Sequence, residues 1–302
     1  MLTKKTKTKY FWKDAIWGYI FILPSMLFVF LFVFLPVLSS FGISLTQWSI
    51  FGSPKFIGLE NYQKIFSNEL ALFSYKNTFI FAFINIPVTI GLSLLLAMAL
   101  NQKIKGLAFY RTSYYLPVLS ASVAVSLVFL WIFDTNYGLF NRTLNLIGLE
   151  PVGWLTDPKF ALYSIILVSI WRGLGFNMII FLAAIQDIPK YLYEAARIDG
   201  ANNRQTFLNI TLPLVTPSIF FTSITGIINS FQSFDLVYSM TQGGPARSTY
   251  LIGYLIWKEA FDYLHMGYGA ALSFLLFFII LGFTLIQWLL RKKWVFGEEE
   301  HT

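Results

Sequence analysis

A chain of 302 residues with 56% hydrophobic and 12% charged residues departs from soluble domains, where about 25% are charged, so water is not its main solvent. The 22 basic and 15 acidic residues give +7, but the basic ones stand in short clusters between apolar runs. That pattern excludes a nucleic-acid-binding face and reports membrane topology instead; the absence of cysteine excludes disulfides, a thiol nucleophile and a Cys-based zinc site.

A hydrocarbon core about 30 Å thick takes about 20 apolar residues in helix, and six stretches meet that length. They run from Trp17 to Leu38, Phe79 to Leu100, Tyr114 to Phe133, Leu162 to Ile185, Leu214 to Phe234 and Gly269 to Leu290. The expected fold class is therefore an all-α polytopic membrane protein with six transmembrane helices. Lys4, Lys5, Lys7, Lys9 and Lys13 precede the first stretch in the manner of a secretory signal. Its apolar run is too long for that and no small-residue cleavage site follows, so it is read as a retained span.

Basic residues orient the bundle, because positively charged loops stay in the cytoplasm. With the N-terminus inside, the inner segments hold those five lysines, Lys103, Lys105, Arg111, Lys190, Arg197, Arg204, Arg291, Lys292 and Lys293. The outer side holds Lys55, Lys64, Lys76, Arg142, Lys159, Arg247 and Lys258. Residues 1–16 are then a cytoplasmic segment, 17–291 the membrane domain and 292–302 a cytoplasmic tail, with loop 186–211 also inside.

Arg172 lies within the fourth span, where a guanidinium costs about 2.5–3.5 kcal/mol on insertion scales, so it must face protein or water. It either lines a pathway or pairs with a neighbouring chain or with a residue such as Asp235 or Asp134. Beside it, Trp171, Gly173, Gly175, Phe176 and Asn177 form a segment whose glycines suit close backbone approach, whether to a solute or to another helix.

The loop after this span reads Asp187-Ile188-Pro189-Lys190-Tyr191-Leu192-Tyr193-Glu194-Ala195-Ala196-Arg197-Ile198-Asp199-Gly200-Ala201. Pro189 suits a first helical turn and Gly200 the left-handed residue that ends a helix. Leu192, Ala195, Ala196 and Asp199 share a face by spacing. Asn202 or Asn203 can cap a second short helix, after which Pro213 and Pro217 lead into the fifth span. This knob either rests on lipid or docks into a groove of a soluble partner; its two central alanines favour docking.

In the fifth span Asn229, Ser230, Gln232 and Ser233 place four polar side chains in a run otherwise filled by Ile and Phe. Sugar hydroxyls would satisfy them if this face lines a cavity. The aromatic content of 19% has a duller cause: tryptophans near span ends and lipid-facing phenylalanines. Gly243-Gly244-Pro245 is a turn. A secondary transporter would need intramembrane carboxylates for ion coupling, and no Asp or Glu falls inside the six stretches. An intramembrane enzyme would need a catalytic cluster at depth. The chain has no Gly-x-x-x-x-Gly-Lys-Ser/Thr phosphate loop, so it is not a nucleotide-hydrolysing subunit.

Glu194-Ala195-Ala196, Asp199-Gly200-Ala201 and Ile210-Thr211-Leu212-Pro213 resemble the EAA loop of binding-protein-dependent ABC importer permeases. Phe56-Ile57-Gly58-Leu59-Glu60-Asn61-Tyr62, Asn77-Thr78, Tyr110-Arg111, Tyr115-Leu116-Pro117 and Phe231-Gln232-Ser233-Phe234-Asp235 with Gly243-Gly244-Pro245 resemble the carbohydrate-uptake branch, related to the maltose and glycerol-phosphate systems. Within it the chain is closer to the first-type permease of a heterodimeric pair than to its partner, but it departs from the maltose permease in lacking that protein's extra N-terminal spans and large outer domain. The resemblance implies the type I importer permease fold. It makes the knob a coupling helix, with Tyr193, Glu194, Ala195, Ala196, Asp199 and Gly200 as ATPase-coupling positions. Arg172, Gly173, Phe176, Asn177, Gly226, Asn229, Ser230, Gln232 and Ser233 are the expected pathway residues. Of these, Gly173, Phe176, Gly226, Ser230 and Ser233 match positions of sugar-contacting groups in the maltose permease.

The implied partners are a second permease subunit, two copies of a cytoplasmic ATPase that hold ATP and Mg, and an extracellular or periplasmic solute-binding protein. The implied cargo is a sugar or oligosaccharide, with glycerol phosphate or another small polar solute as the alternative. No cofactor on this chain is implied, and the location is the bacterial cytoplasmic membrane.

Overall fold

The computed structural model describes residues 4–102 and 105–296, so Lys103 and the end of the expected tail lie outside the described residues. The chain divides into two compact units, Met1–Lys64 with Glu259–Phe274, and Ile65–Lys258 with Leu275–Thr302.

In the first unit α1 (Lys4–Val29) continues through a wide π turn at Phe30–Phe34 into α2 (Leu35–Ser44). Ala15–Ser44 is an apolar helix of 30 residues, about 45 Å at about 1.5 Å per residue, and so long enough to cross a bilayer. Its large side chains, Phe21, Phe28 and Leu38 among them, are exposed, as they are where lipid is the solvent. The strands β1 (Thr46–Gln47) and β2 (Lys55–Phe56) pair antiparallel, Thr46 opposite Phe56. Gly58, at φ +59°, then turns the chain into α3 (Glu60–Ser67). Asn61 Nδ2 donates to the carbonyls of Ser44 (2.8 Å) and Thr46 (2.9 Å), and the Tyr62 hydroxyl lies 2.8 Å from Ser44 Oγ. The Gly58-Leu59-Glu60-Asn61-Tyr62 block is thus a clasp that ties the end of the first span to the hairpin.

The second unit is built around α4 (Glu69–Leu100), whose first turn is capped by Asn68 Oδ1. Next come α5 (Leu107–Leu119), α6 (Ser122–Ile132), α7 (Leu139–Leu146) and α8 (Ala161–Asp187). After α9 (Lys190–Ile198), α10 (Asn203–Thr206) runs through a π turn, Phe207–Thr211, into α11 (Leu212–Phe231). The short helices α12 (Asp235–Met240) and α13 (Ile252–Trp257) precede α14 (Met266–Leu290). Leu94 and Ala97 of α4, Met178, Phe181 and Leu182 of α8 and Val215 of α11 form one buried cluster, so these three helices make the core. Asn77 Nδ2 donates to the carbonyls of Ser248 (2.9 Å) and Tyr250 (3.2 Å), and Thr78 Oγ1 accepts from Ile252 N (2.8 Å). The Asn77-Thr78 pair therefore anchors the segment that follows the Gly243-Gly244-Pro245 turn.

Among the described residues, five helices are long and apolar enough to cross a membrane, and a sixth crossing requires α5 and α6 together. An unbroken third span from Tyr114 to Phe133 does not form: α5 and α6 meet at 102°. Ser120 (ψ 138°) and Ala121 (ψ 134°) leave the helical region. Pro117 withholds a backbone donor just before the break, and Ser120 Oγ turns back onto the Leu116 carbonyl at 3.1 Å. With 13 and 11 residues the halves are about 20 and 16 Å long, each shorter than the hydrocarbon core.

The fifth span also ends early, at Phe231 rather than Phe234. A Cβ on Gly253 of α13 would lie 2.8 Å from the Ser233 carbonyl, so α13 fills the space into which α11 would continue. Nor is the second short helix separate from that span; Asn203–Phe231 is one continuous helical stretch.

Asn141 holds the loop between α7 and α8. It is 1% exposed, donates to the carbonyls of Thr135 and Val152, and accepts from Val152 N and Trp154 Nε1, all between 2.9 and 3.0 Å. Replacing it by Ala strands these groups, at about 1–3 kcal/mol for each one left buried without a partner. Asn141→Ala is expected to lower the thermal midpoint of the purified protein by several degrees; an unchanged midpoint would show that water satisfies the loop.

Candidate functional site

One cavity of about 540 Å³ lies in the second unit, among α4, α8, α11 and the start of α12. All nine expected pathway residues line it: Arg172, Gly173, Phe176 and Asn177 from α8, Gly226, Asn229 and Ser230 from α11, and Gln232 and Ser233 from the turn beyond. The early end of α11 is what presents Gln232 and Ser233, because residues in an irregular turn are not confined to one helical face.

Arg172 makes the expected pairing with Asp235 and also lines the cavity. Its Nη1 donates to Asp235 Oδ2 at 2.8 Å and to Ser122 Oγ at 3.0 Å while the side chain lines the cavity. Asp134 is not the partner, since its Oδ1 accepts from the backbone N–H groups of Asn136 and Tyr137. Burial acts to raise the Asp235 carboxyl, but the hydrogen bond with Ser122 and the bond and field of Arg172 outweigh it, so its pKa lies below the usual carboxylate range. The Asp235 carboxyl is therefore ionised at neutral pH. Ser122 reaches Arg172 because it opens α6 immediately after the break in the third span.

The nine expected residues are only part of the wall, and α4 supplies a side of it that spans four and five do not contain. Asn85 and Thr89, one turn apart on α4, line the cavity with Ser169, Thr222 and Thr225. Asn85 Nδ2 donates to Ser230 Oγ at 3.1 Å, whereas Asn85 Oδ1 and Thr89 Oγ1 are buried without a hydrogen-bond partner. Asn85 was recoverable: an amide between Ile84 and Ile86 is as anomalous in an apolar span as Asn229 is in the fifth.

The glycines divide by role. A Cβ on Gly173 would meet Thr89 Cγ2 at 3.1 Å and one on Gly226 would meet Ile86 at 3.4 Å, so these two let α8 and α11 close on α4 beside the cavity. Gly175 faces away from it, onto α5, where a Cβ would run into the Tyr114 carbonyl oxygen.

The knob is built as a stopped helix. Pro189 is the residue just before α9 rather than inside its first turn. Gly200 has φ +77°, and the bonds Ala201 N to Ala196 O (2.9 Å) and Gly200 N to Arg197 O (3.1 Å) form a Schellman close. Asn202 and Gln205 then exchange side-chain and backbone bonds in a capping box that starts α10.

The face of α9 expected from spacing is divided. Leu192 and Tyr193 pack on the core cluster, and Ala196 is half-buried, but Ala195 and Asp199 are exposed with Glu194 and Gly200. Steps of about 100° put residues 192, 193 and 196 on the inner side and 191, 194, 195 and 198 on the outer. The Tyr193 hydroxyl lies 3.1 Å from Thr211 Oγ1, so Tyr193 braces α9 against the foot of α11. Outward stand Tyr191 at 65% and Ile198 at 87% exposure, beside Glu194.

The second unit packs membrane-length helices around a polar cavity and carries the braced helix α9, which are the features of a membrane permease. Residues 77–295 match the family described as the binding-protein-dependent transport system inner membrane component, and the chain belongs to it. It is 37% identical over 293 residues to the probable ABC transporter permease protein YesP of Bacillus subtilis, covering 95% of this chain and 94% of that one. It is 35% identical over 289 residues to the trehalose/maltose transport system permease protein MalF of Thermococcus litoralis, covering 94% and 95%. Its fold matches a chain in the crystal structure of a bacterial alginate ABC transporter in complex with alginate pentasaccharide-bound periplasmic protein. That match has a TM-score of 0.82 at 23% identity, over 93% of this chain and 96% of that one.

Proposed function

We propose that this chain forms half of the translocation path of an ABC importer for a sugar or short oligosaccharide. The observation that carries the reading is the convergence of Asn177, Asn229, Ser230, Gln232 and Ser233, with Asn85 from α4, on one cavity in the core of a family member. Amide and hydroxyl groups both donate and accept, as sugar hydroxyls do. The likeness to a trehalose/maltose permease supports the same cargo class.

A companion permease closes the open side of the cavity, where Phe176, Asn229 and Gln232 are exposed. The outer face of α9 carries Glu194, Ala195, Asp199 and Gly200 to a cytoplasmic ATPase, two copies of which hold ATP and Mg. A solute-binding protein delivers cargo from outside, and both termini face the cytoplasm, as the basic residues direct. ATP-driven closure of the ATPase pair moves α9, and Tyr193 and the Schellman close make α9 and the foot of α11 move together. Each state is selected by its own contacts.

Asn177→Leu and Ser233→Ala each remove a hydrogen-bonding group worth about 0.5–1.5 kcal/mol, a weakening of up to about tenfold. In proteoliposomes holding the complete transporter, both are expected to raise the sugar concentration for half-maximal uptake without loss of assembly. Unchanged kinetics in both would return the cavity to a packing role.

A further inference from the structure

The charge balance of the cavity wall points to a narrower cargo class; this rests on the cavity being the path. Arg172 and Asp235 are the only charged residues among the described residues that line it. They are bonded to each other at 2.8 Å, so the formal charge cancels within the wall. An anionic solute that reached the guanidinium would have to displace a carboxylate anchored beside it, or sit against that carboxylate's own charge. Like charges held together in this way are how a site rejects a wrong ligand.

A neutral polyol meets no such penalty. Asn177, Asn229 and Gln232 each present a donor and an acceptor, and Ser233 adds a hydroxyl. Ser122 completes the lock, for it also bonds Arg172 and lies at the fixed start of α6. We propose that the cavity passes uncharged saccharides and that Asp235 is the residue that excludes anionic ones, by holding the charge of Arg172 inside the wall. Without Asp235 the same guanidinium, with its planar fork of donors, becomes an anion site.

The test uses the complete transporter in lipid nanodiscs without its solute-binding protein, so that only the membrane path selects. The probes are size-matched neutral and acidic pairs, maltose with maltobionate and lactose with lactobionate, together with sn-glycerol 3-phosphate, titrated calorimetrically. Wild type is expected to bind the neutral member of a pair at least about tenfold more tightly than the acid, and to ignore sn-glycerol 3-phosphate. Asp235→Asn is expected to bind the acids and sn-glycerol 3-phosphate, and Arg172→Gln added to it to abolish that gain. Size-exclusion profiles establish that both variants assemble.

Equal or tighter binding of the acids by wild type, or no gain of sn-glycerol 3-phosphate binding by assembled Asp235→Asn, overturns the charge inference. Where Ser233→Ala still weakens neutral sugar, the pathway reading survives that result. Failure of every probe to bind wild type and variants, with uptake unaffected by Ser233→Ala, overturns both.

Discussion

Glu194→Lys is expected to reduce sugar uptake by the complete transporter by about 5–150-fold, the range of ordinary coupling energies, while the protein remains in the membrane. The side chain is on the outer face of α9, so the substitution leaves the Tyr193–Thr211 brace and the packing of Leu192 untouched. What changes is the sign of the charge offered to the ATPase. Gly200→Val attacks the same lever from within. Gly200 sits at φ +77°, where an L residue costs roughly 1–2 kcal/mol and a β-branched one more. Relieving that strain undoes the two bonds that stop α9. Uptake in proteoliposomes, ATPase rate and membrane level together read the outcome. Low uptake with continued ATP hydrolysis is the expected signature; normal uptake by both variants would remove α9 from the coupling path.

Gly175→Val is expected to lower the thermal midpoint of the purified complex more than any other single glycine replacement in α8. A Cβ at Gly175 would collide with the Tyr114 carbonyl oxygen and lie 2.9 Å from the Tyr115 Cα, and a backbone cannot turn aside as a side-chain tip can. Gly175 is buried, one turn before Met178 of the core cluster. Removing glycine from a helix interior is worth about 1 kcal/mol in favour of the variant, but forcing extra carbons into a packed contact costs about 1–3 kcal/mol. With backbone on one side, the upper end applies.

α5 would have to move away from α8, and the turn at Ser120–Ala121 with it, so Ser122 would lose its place beside Arg172. Gly282→Ala in α14 is the matched control, because nothing lies within 4 Å of the added carbon. It is expected to leave the midpoint unchanged or raise it slightly. Equal midpoints for Gly175→Val and wild type would mean that α5 and α8 do not approach as described.

Hydropathy and length read the membrane helices well because lipid imposes a one-dimensional rule: enough consecutive apolar residues to cross the core. The stopped helix α9 was legible for a related reason. Gly200 and the Asn202–Gln205 box act on backbone groups within a few residues, so the signal is complete in the local sequence. The polar run in the fifth span marked the cavity because an amide in an apolar segment demands a partner. Applied to the second span, the same test reaches Asn85. The EAA blocks reached the family because they combine local signals at fixed separations.

What sequence alone determined was thus whatever acts within a few turns of helix: which segments are apolar enough to span, where α9 stops, and which polar residues are out of place. Tertiary structure decided the rest. It broke the third span where only packing could show whether Pro117 is absorbed or ends a helix, and it ended α11 early against α13. It split the expected face of α9 and joined Arg172 to an aspartate 63 positions away rather than to Asp134. The physical reason is that side chains meet according to how helices cross, and a crossing is a balance of contacts summed over several helices at once. No window of sequence holds that sum.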